Sequence, residues 1–125
     1  MADKKKILIA DDFQLLREDL TELINNQRDM EVVGTASSRK EIVNLARNTE
    51  YDLILMDMGL PFMDGYATTM GIRQLREDGR TVPVIALSSR LYADDEFHGE
   101  EYGMKARLQK PVSARKLMEA VREYI

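Results

Sequence analysis

Short apolar runs recur along this 125-residue chain, and the stretches between them carry apolar residues at helical spacing instead. Lys6-Ile7-Leu8-Ile9-Ala10 predicts a first strand. A helix follows, with Phe13, Leu16, Leu20, Leu23 and Ile24 on one face and Asp12 placed to cap it. Met30 to Ala36 reads as a second strand, since Val32 and Val33 are β-branched and Gly34 marks a close approach or a bulge. Ser38 to Asn48 predicts a helix burying Ile42, Leu45 and Ala46. Leu53-Ile54-Leu55-Met56 predicts a third strand, followed by a Gly/Pro loop and a helix from Gly65 to Arg76 that is weakened by Gly71 and by the β-branched Thr68-Thr69. Pro83 opens a fourth strand, Val84 to Leu87. Asp94 to Tyr102 predicts a short acidic helix with Gly103 as its C-cap, Ala106 to Gln109 a brief edge strand, and Ser113 to Tyr124 a last helix with Ala114, Leu117, Met118 and Val121 on one face. Five βα units in succession imply one doubly wound parallel sheet.

The polar residues at the strand ends matter most. Asp11 and Asp12 follow the first strand, Asp57 the third, Ser88 the fourth and Lys110 the fifth. Strands that run parallel in one sheet release all of these at the same carboxyl edge, where open α/β sheets bind ligands. Crowded carboxylates repel one another and stay ionised together only if a cation joins them, and a hard divalent ion with oxygen ligands, Mg²⁺ by preference, suits them.

Composition narrows the function classes. The length matches one ordinary domain, residues 1–125, with 44% apolar residues for its core. A net charge of −4, with 18 Lys and Arg scattered along the chain, offers no basic surface, so direct nucleic-acid binding is not expected. There is no cysteine, hence no disulfide or thiolate chemistry. The lysine-rich start lacks an apolar signal core, and no run approaches the roughly 20 apolar residues that span a bilayer. A soluble, cytoplasmic chain with no membrane contact is expected.

The chain resembles, over essentially its whole length, the receiver domain of two-component response regulators. The resemblance rests on Ile9-Ala10-Asp11-Asp12, on Met56-Asp57-Met58-Gly59-Leu60-Pro61-Phe62-Met63-Asp64-Gly65, on Ala86-Leu87-Ser88-Ser89 and on Lys110-Pro111, in that order. Ala10 to Glu18 and Met30 to Ala36 look most like receivers of the LuxR/NarL class. The resemblance implies a flavodoxin-like sheet in the order 2-1-3-4-5 flanked by five helices. It implies Asp57 as phosphoacceptor for a sensor histidine kinase or phosphotransfer protein. It implies Mg²⁺ held by Asp12, Asp57 and the Gly59 carbonyl, with Asp11 acting through water. Lys110 would pair with Asp57 at rest and with a phosphoryl oxygen afterwards, across a cis Lys110-Pro111 peptide, and the Ser88 hydroxyl would bond another oxygen. Slow loss of the phosphoryl group, rather than turnover of a separate substrate, is expected, with Gly59 and Arg90 tuning its lifetime. Receivers of this class normally continue into a helix-turn-helix domain, so a DNA-binding domain beyond Ile125 is compatible with the sequence. A homodimer through the first and last helices is also compatible.

Each residue alone has a plainer reading: Asp11 or Asp12 as a helix cap, Asp57 as a strand terminus, Ser88 in a turn, Lys110 on the surface. Their joint placement is what these readings do not produce. One position departs from the family pattern. Arg107 stands where receivers usually carry a mobile Tyr or Phe, and an arginine there is expected to stay solvent-facing, because burying an unpaired guanidinium is costly. Other classes fit less well. A flavin carrier would bring its phosphate against Asp11-Asp12, a dinucleotide fold needs a glycine fingerprint, and a haloacid dehalogenase-type phosphatase wants an Asp where Gly59 stands. The remaining alternative is a receiver-like binding module that works without phosphorylation.

Overall fold

In the computed structural model, which describes residues 4–58, 65–75, 82–88 and 104–125, the apolar runs form five parallel strands. These are β1 (Lys5–Ala10), β2 (Met30–Ala36), β3 (Leu53–Asp57), β4 (Val84–Ser88) and β5 (Met104–Gln109), joined in the order β2-β1-β3-β4-β5. β1, β3 and β4 are covered on both faces, which is why they read as continuous apolar runs rather than alternating ones. Helices α1 (Gln14–Asn25), α2 (Arg39–Asn48), α3 (Gly65–Arg73) and α4 (Ala114–Tyr124) lie between and after them. The predicted acidic helix over residues 94–102 and its Gly103 cap fall outside the described residues. No helix among the described residues is long and apolar enough to cross a membrane.

The sheet divides two layers of core. On one face Leu8, Ile54, Met56, Val84 and Ala86 pack with Ile42 of α2 and Ile72 of α3. On the other, Ile7, Ile9, Leu53, Leu55, Ile85 and Leu87 pack with Leu20 and Ile24 of α1 and with Leu117 and Val121 of α4. Alternate residues of each strand thus serve opposite layers, as a pleated strand requires.

Several local expectations shift. Phe13 does not join the buried face of α1: it is 56% exposed, because it is the N-cap, with φ −88° and ψ 107°, and helical periodicity does not extend to it. Asp12 does not cap the helix either. Asp11 Oδ1 instead accepts the Phe13 N–H at 2.9 Å, an Asx-type turn two residues long that leaves Asp12 exposed. Ser38 is the N-cap of α2, accepting from the Glu41 N–H, while Glu41 reaches back to the Ser37 N–H and hydroxyl. α3 ends at Arg73, short of the expected Arg76, with a turn over residues 74–75. In α4, Ala114 is exposed in the first turn, and Leu117, Ala120 and Val121 form the buried stripe at i, i+3, i+4. β5 begins at Met104, two residues before the expected Ala106, because Met104 is itself buried opposite Val84.

Gly34 fulfils both readings of it. β2 carries an extra residue where Ile7 pairs with Val32 but Leu8 pairs with Gly34. A Cβ at Gly34 would stand 3.1 Å from methyls of both Leu45 and Leu8. Gly71 differs: a Cβ there would meet Arg39 at 3.7 Å and Val43 at 3.9 Å, ordinary contact distances.

Candidate functional site

The sheet register sets the site. Ala10 lies opposite Met56, Asp57 opposite Leu87, and Ser88 opposite Gln109, so Asp11, Asp57, Ser88 and Lys110 leave adjacent strands at one level. Backbone bonds carry the ladder one residue further: Asp11 N–H to Ala36 O at 3.0 Å, Met58 N–H to Leu87 O at 2.9 Å and Lys110 N–H to Ser88 O at 2.7 Å. Position at this edge is therefore fixed by the main chain.

Carboxylate oxygens of Asp11, Asp12 and Asp57 lie within 4.8 Å of one another. Asp11 is fully buried and Asp57 is 1% exposed, whereas Asp12 faces solvent. Lys110 Nζ lies 2.8 Å from Asp11 Oδ2 and 3.2 Å from Asp57 Oδ1. The pairing of Lys110 with Asp57 was expected; the shorter contact to Asp11 was not. It arises because the strand-end row puts Asp11 beside Asp57, within reach of one ammonium. The Lys110-Pro111 peptide is cis. Ser88 is buried at the end of β4, on the same edge.

Asp11 is held at each of its polar functions. Its N–H donates to Ala36 O, its Oδ1 accepts from Phe13 N–H, its Oδ2 accepts from Lys110, and its carbonyl accepts from Arg17 Nη1 at 2.8 Å. Asp12 is free of such ties among the described residues. Sequence reasoning missed Arg17, whose one signal is its place a single helical turn after Phe13. Gly59 and Arg90 lie outside the described residues.

Three carboxylates against one ammonium leave two formal negative charges in a small space. Oxygen donors with that charge fit a hard divalent cation, and the exposed Asp12 gives it an approach from solvent.

Arg107 is not solvent-facing as the sequence suggested. It pairs with Ala86 in the β4–β5 ladder, is half-buried, and its Nη1 is withdrawn from water.

Comparison with known proteins agrees with this geometry. The response regulator receiver domain model matches residues 7–122. The response regulator protein VraR of Staphylococcus aureus is 31% identical over 118 residues, covering 94% of this chain and 55% of VraR, so the chain spans about half the length of the curated relatives it matches. The response regulator domain of Thermotoga maritima CheB superposes with a TM-score of 0.84 at 27% identity, covering 97% of this chain and 96% of that one. The receiver domain of the sensor histidine kinase PA1611 from Pseudomonas aeruginosa, solved with a magnesium ion coordinated in its active site cleft, gives 0.80 at 29% identity, with 97% of both chains covered. With a matched model spanning nearly all of its length and the strand order of the receiver fold, the chain belongs to the response regulator receiver domain family.

Proposed function

We propose that this chain, read as one receiver domain over residues 1–125, accepts a phosphoryl group on Asp57 in a Mg²⁺-dependent transfer from a sensor histidine kinase or phosphotransfer protein in the cytoplasm. The observation that carries this reading is the convergence of Asp11, Asp12 and Asp57 within 4.8 Å, with Lys110 set between two of them. A carboxylate oxygen of Asp57 attacks the phosphorus. The new O–P bond forms as the bond to the donor breaks, and the donor atom keeps the electron pair and takes up a proton. Asp12, Asp57 and the Gly59 carbonyl would hold the ion, with Asp11 behind them. Bound there, Mg²⁺ would supply positive charge against the phosphoryl oxygens.

Lys110 and Ser88 do the remaining work. Lys110 loses its Asp57 partner when that oxygen is phosphorylated to the acyl phosphate and turns to a phosphoryl oxygen, and the Ser88 hydroxyl donates to another. Movement of Ser88 toward the new group, which carries roughly two negative charges, alters the surface that follows β4. That altered surface is the output, read by another protein, while a second copy of the chain would pair through α1 and α4.

Incubation with an acyl phosphate and Mg²⁺, followed by intact mass measurement, tests this. One added phosphoryl group is expected, absent from Asp57→Asn and absent when Mg²⁺ is chelated. An unaltered chain that gains no mass under these conditions would leave only the unphosphorylated binding-module reading.

A further inference from the structure

The acidic pair at the end of β1 does two different jobs: Asp11 is tied to the scaffold and Asp12 is presented to solvent. The peptide plane between them decides this, and its oxygen is the Asp11 carbonyl. That oxygen is held by Arg17 Nη1 at 2.8 Å. A peptide plane is rigid, so fixing its oxygen restricts the ψ of Asp11 and the φ of Asp12, the two rotations that set how the neighbouring carboxylates diverge.

Arg17 is itself anchored. Its N–H donates to the Phe13 carbonyl at 3.0 Å, and its own carbonyl accepts the Thr21 hydroxyl at 2.7 Å. Among the described residues no carboxylate lies within salt-bridge distance of its guanidinium. The side chain is half-buried, and its directed contact is this one carbonyl. A guanidinium aimed at a backbone oxygen, one residue from the exposed member of a three-carboxylate cluster, is placed to orient rather than to neutralise.

We propose that Arg17 is a positioning residue for the acidic site: by clamping the Asp11–Asp12 peptide it presents Asp12 to the cation while Asp11 remains with Lys110. This rests on reading the cluster as a Mg²⁺ site. Positioning and charge act in opposite directions here, which makes the sign of the effect informative. Loss of a positive charge near the cluster would by itself strengthen cation binding, whereas loss of the clamp weakens it.

Calorimetric titration with MgCl₂ alone reads this on the whole chain, for the unaltered protein, Arg17→Met, Arg17→Lys and an Asp12→Ala control, beside thermal unfolding without Mg²⁺. Arg17→Met is expected to raise the Mg²⁺ dissociation constant roughly tenfold, the range seen for groups that orient metal ligands. Arg17→Lys, which keeps a charge and a donor, is expected to recover most of that loss. In phosphorylation by an acyl phosphate, the half-saturating Mg²⁺ concentration should rise while the rate at saturating Mg²⁺ stays close to that of the unaltered chain. Unchanged or tighter Mg²⁺ binding by Arg17→Met overturns the proposal. If that variant does not fold, Arg17→Gln replaces it and decides in the same way, and failure of both to fold makes Arg17 a general stabilising residue and likewise overturns it. No Mg²⁺ binding by the unaltered chain would instead sink the metal-site reading itself.

Discussion

Replacing Lys110 with methionine should produce two effects of opposite sign. The Lys110 ammonium sits 2.8 Å from the fully buried Asp11 carboxylate and 3.2 Å from Asp57, which is 1% exposed, while its own side chain is 17% exposed. Removing one partner of a buried pair costs about 3–5 kcal/mol, most of it the penalty of leaving the other charge uncompensated. Here Phe13 N–H still serves Asp11, and the site opens to water at Asp12, so a loss of about 2–3 kcal/mol is expected without Mg²⁺. Domains of this size have about 5–15 kcal/mol to lose, so the variant remains folded.

Mg²⁺ affinity should move the other way. A monovalent charge several ångströms from a divalent ion costs that ion about 1–2 kcal/mol even with water-like screening, so removing it tightens binding by about tenfold. The gap in stability between the two proteins should therefore narrow as Mg²⁺ is raised, following the mass-action dependence of a ligand that binds only the folded state. Urea unfolding followed by circular dichroism, at zero and at saturating Mg²⁺, together with calorimetric titration, measures both effects. Equal stability of the two proteins without Mg²⁺ would show that the ion pairs contribute nothing. Weaker Mg²⁺ binding by the variant would show that Lys110 does not compete with the cation.

The two members of the acidic pair should separate in the same assays. Asp12→Ala is expected to lose Mg²⁺ binding with little change in stability, whereas Asp11→Ala is expected to lose about 2 kcal/mol or more through its severed contacts. The opposite ranking would reverse their assignments. Two glycines should also respond with opposite signs. Gly34→Ala forces a methyl to 3.1 Å from Leu8 and Leu45 and should cost about 1–2 kcal/mol, while Gly71→Ala meets only ordinary contacts and should gain about 0.5–1 kcal/mol of helix stability, both read from urea midpoints. On the surface, the Arg122 guanidinium hydrogen-bonded to Asp29 holds that carboxyl below its ordinary value of 3.8. A depressed value contributes stability that is complete above 3.8 and lost as pH falls through the lower folded value. Asp29→Asn should accordingly match the native chain in strong acid and trail it near neutrality, and a difference that persists at the lowest pH would show another cause.

The sequence made the strands legible because both faces of the central ones are buried, which writes burial directly into consecutive apolar residues. Met30–Ala36, an outer strand, is legible to its observed limits for a different reason, its β-branched Val32 and Val33 beside Gly34, and the row of Asp11, Asp57, Ser88 and Lys110 follows from strand ends alone. Side-chain partnerships were not legible. Lys110 and Asp11 are 99 residues apart, and their 2.8 Å contact depends on a rotamer and on the level at which two non-adjacent strands stop. That Asp11 rather than Asp12 accepts the N–H at the start of α1 depends on the local backbone conformation around Phe13, and no periodicity reports such a thing. Arg107 misled for a similar reason: its charge suggested exposure, but in the ladder, paired with Ala86, it is half-buried.

The two register breaks of the sheet both fall on its outermost strands. The extra residue is Val33 on β2, and on β5 it is Lys105, which lies between the residues paired with Val84 and Ile85. A strand with one neighbour offers a free row of amides and carbonyls to any other chain, and a local kink spoils that row as a template. On β5 the exposed Lys105 adds a charge that an incoming strand would have to desolvate. In a domain whose central strands are as apolar as these, both outer strands thus carry a feature that makes them poor templates for edge-to-edge pairing with a second copy.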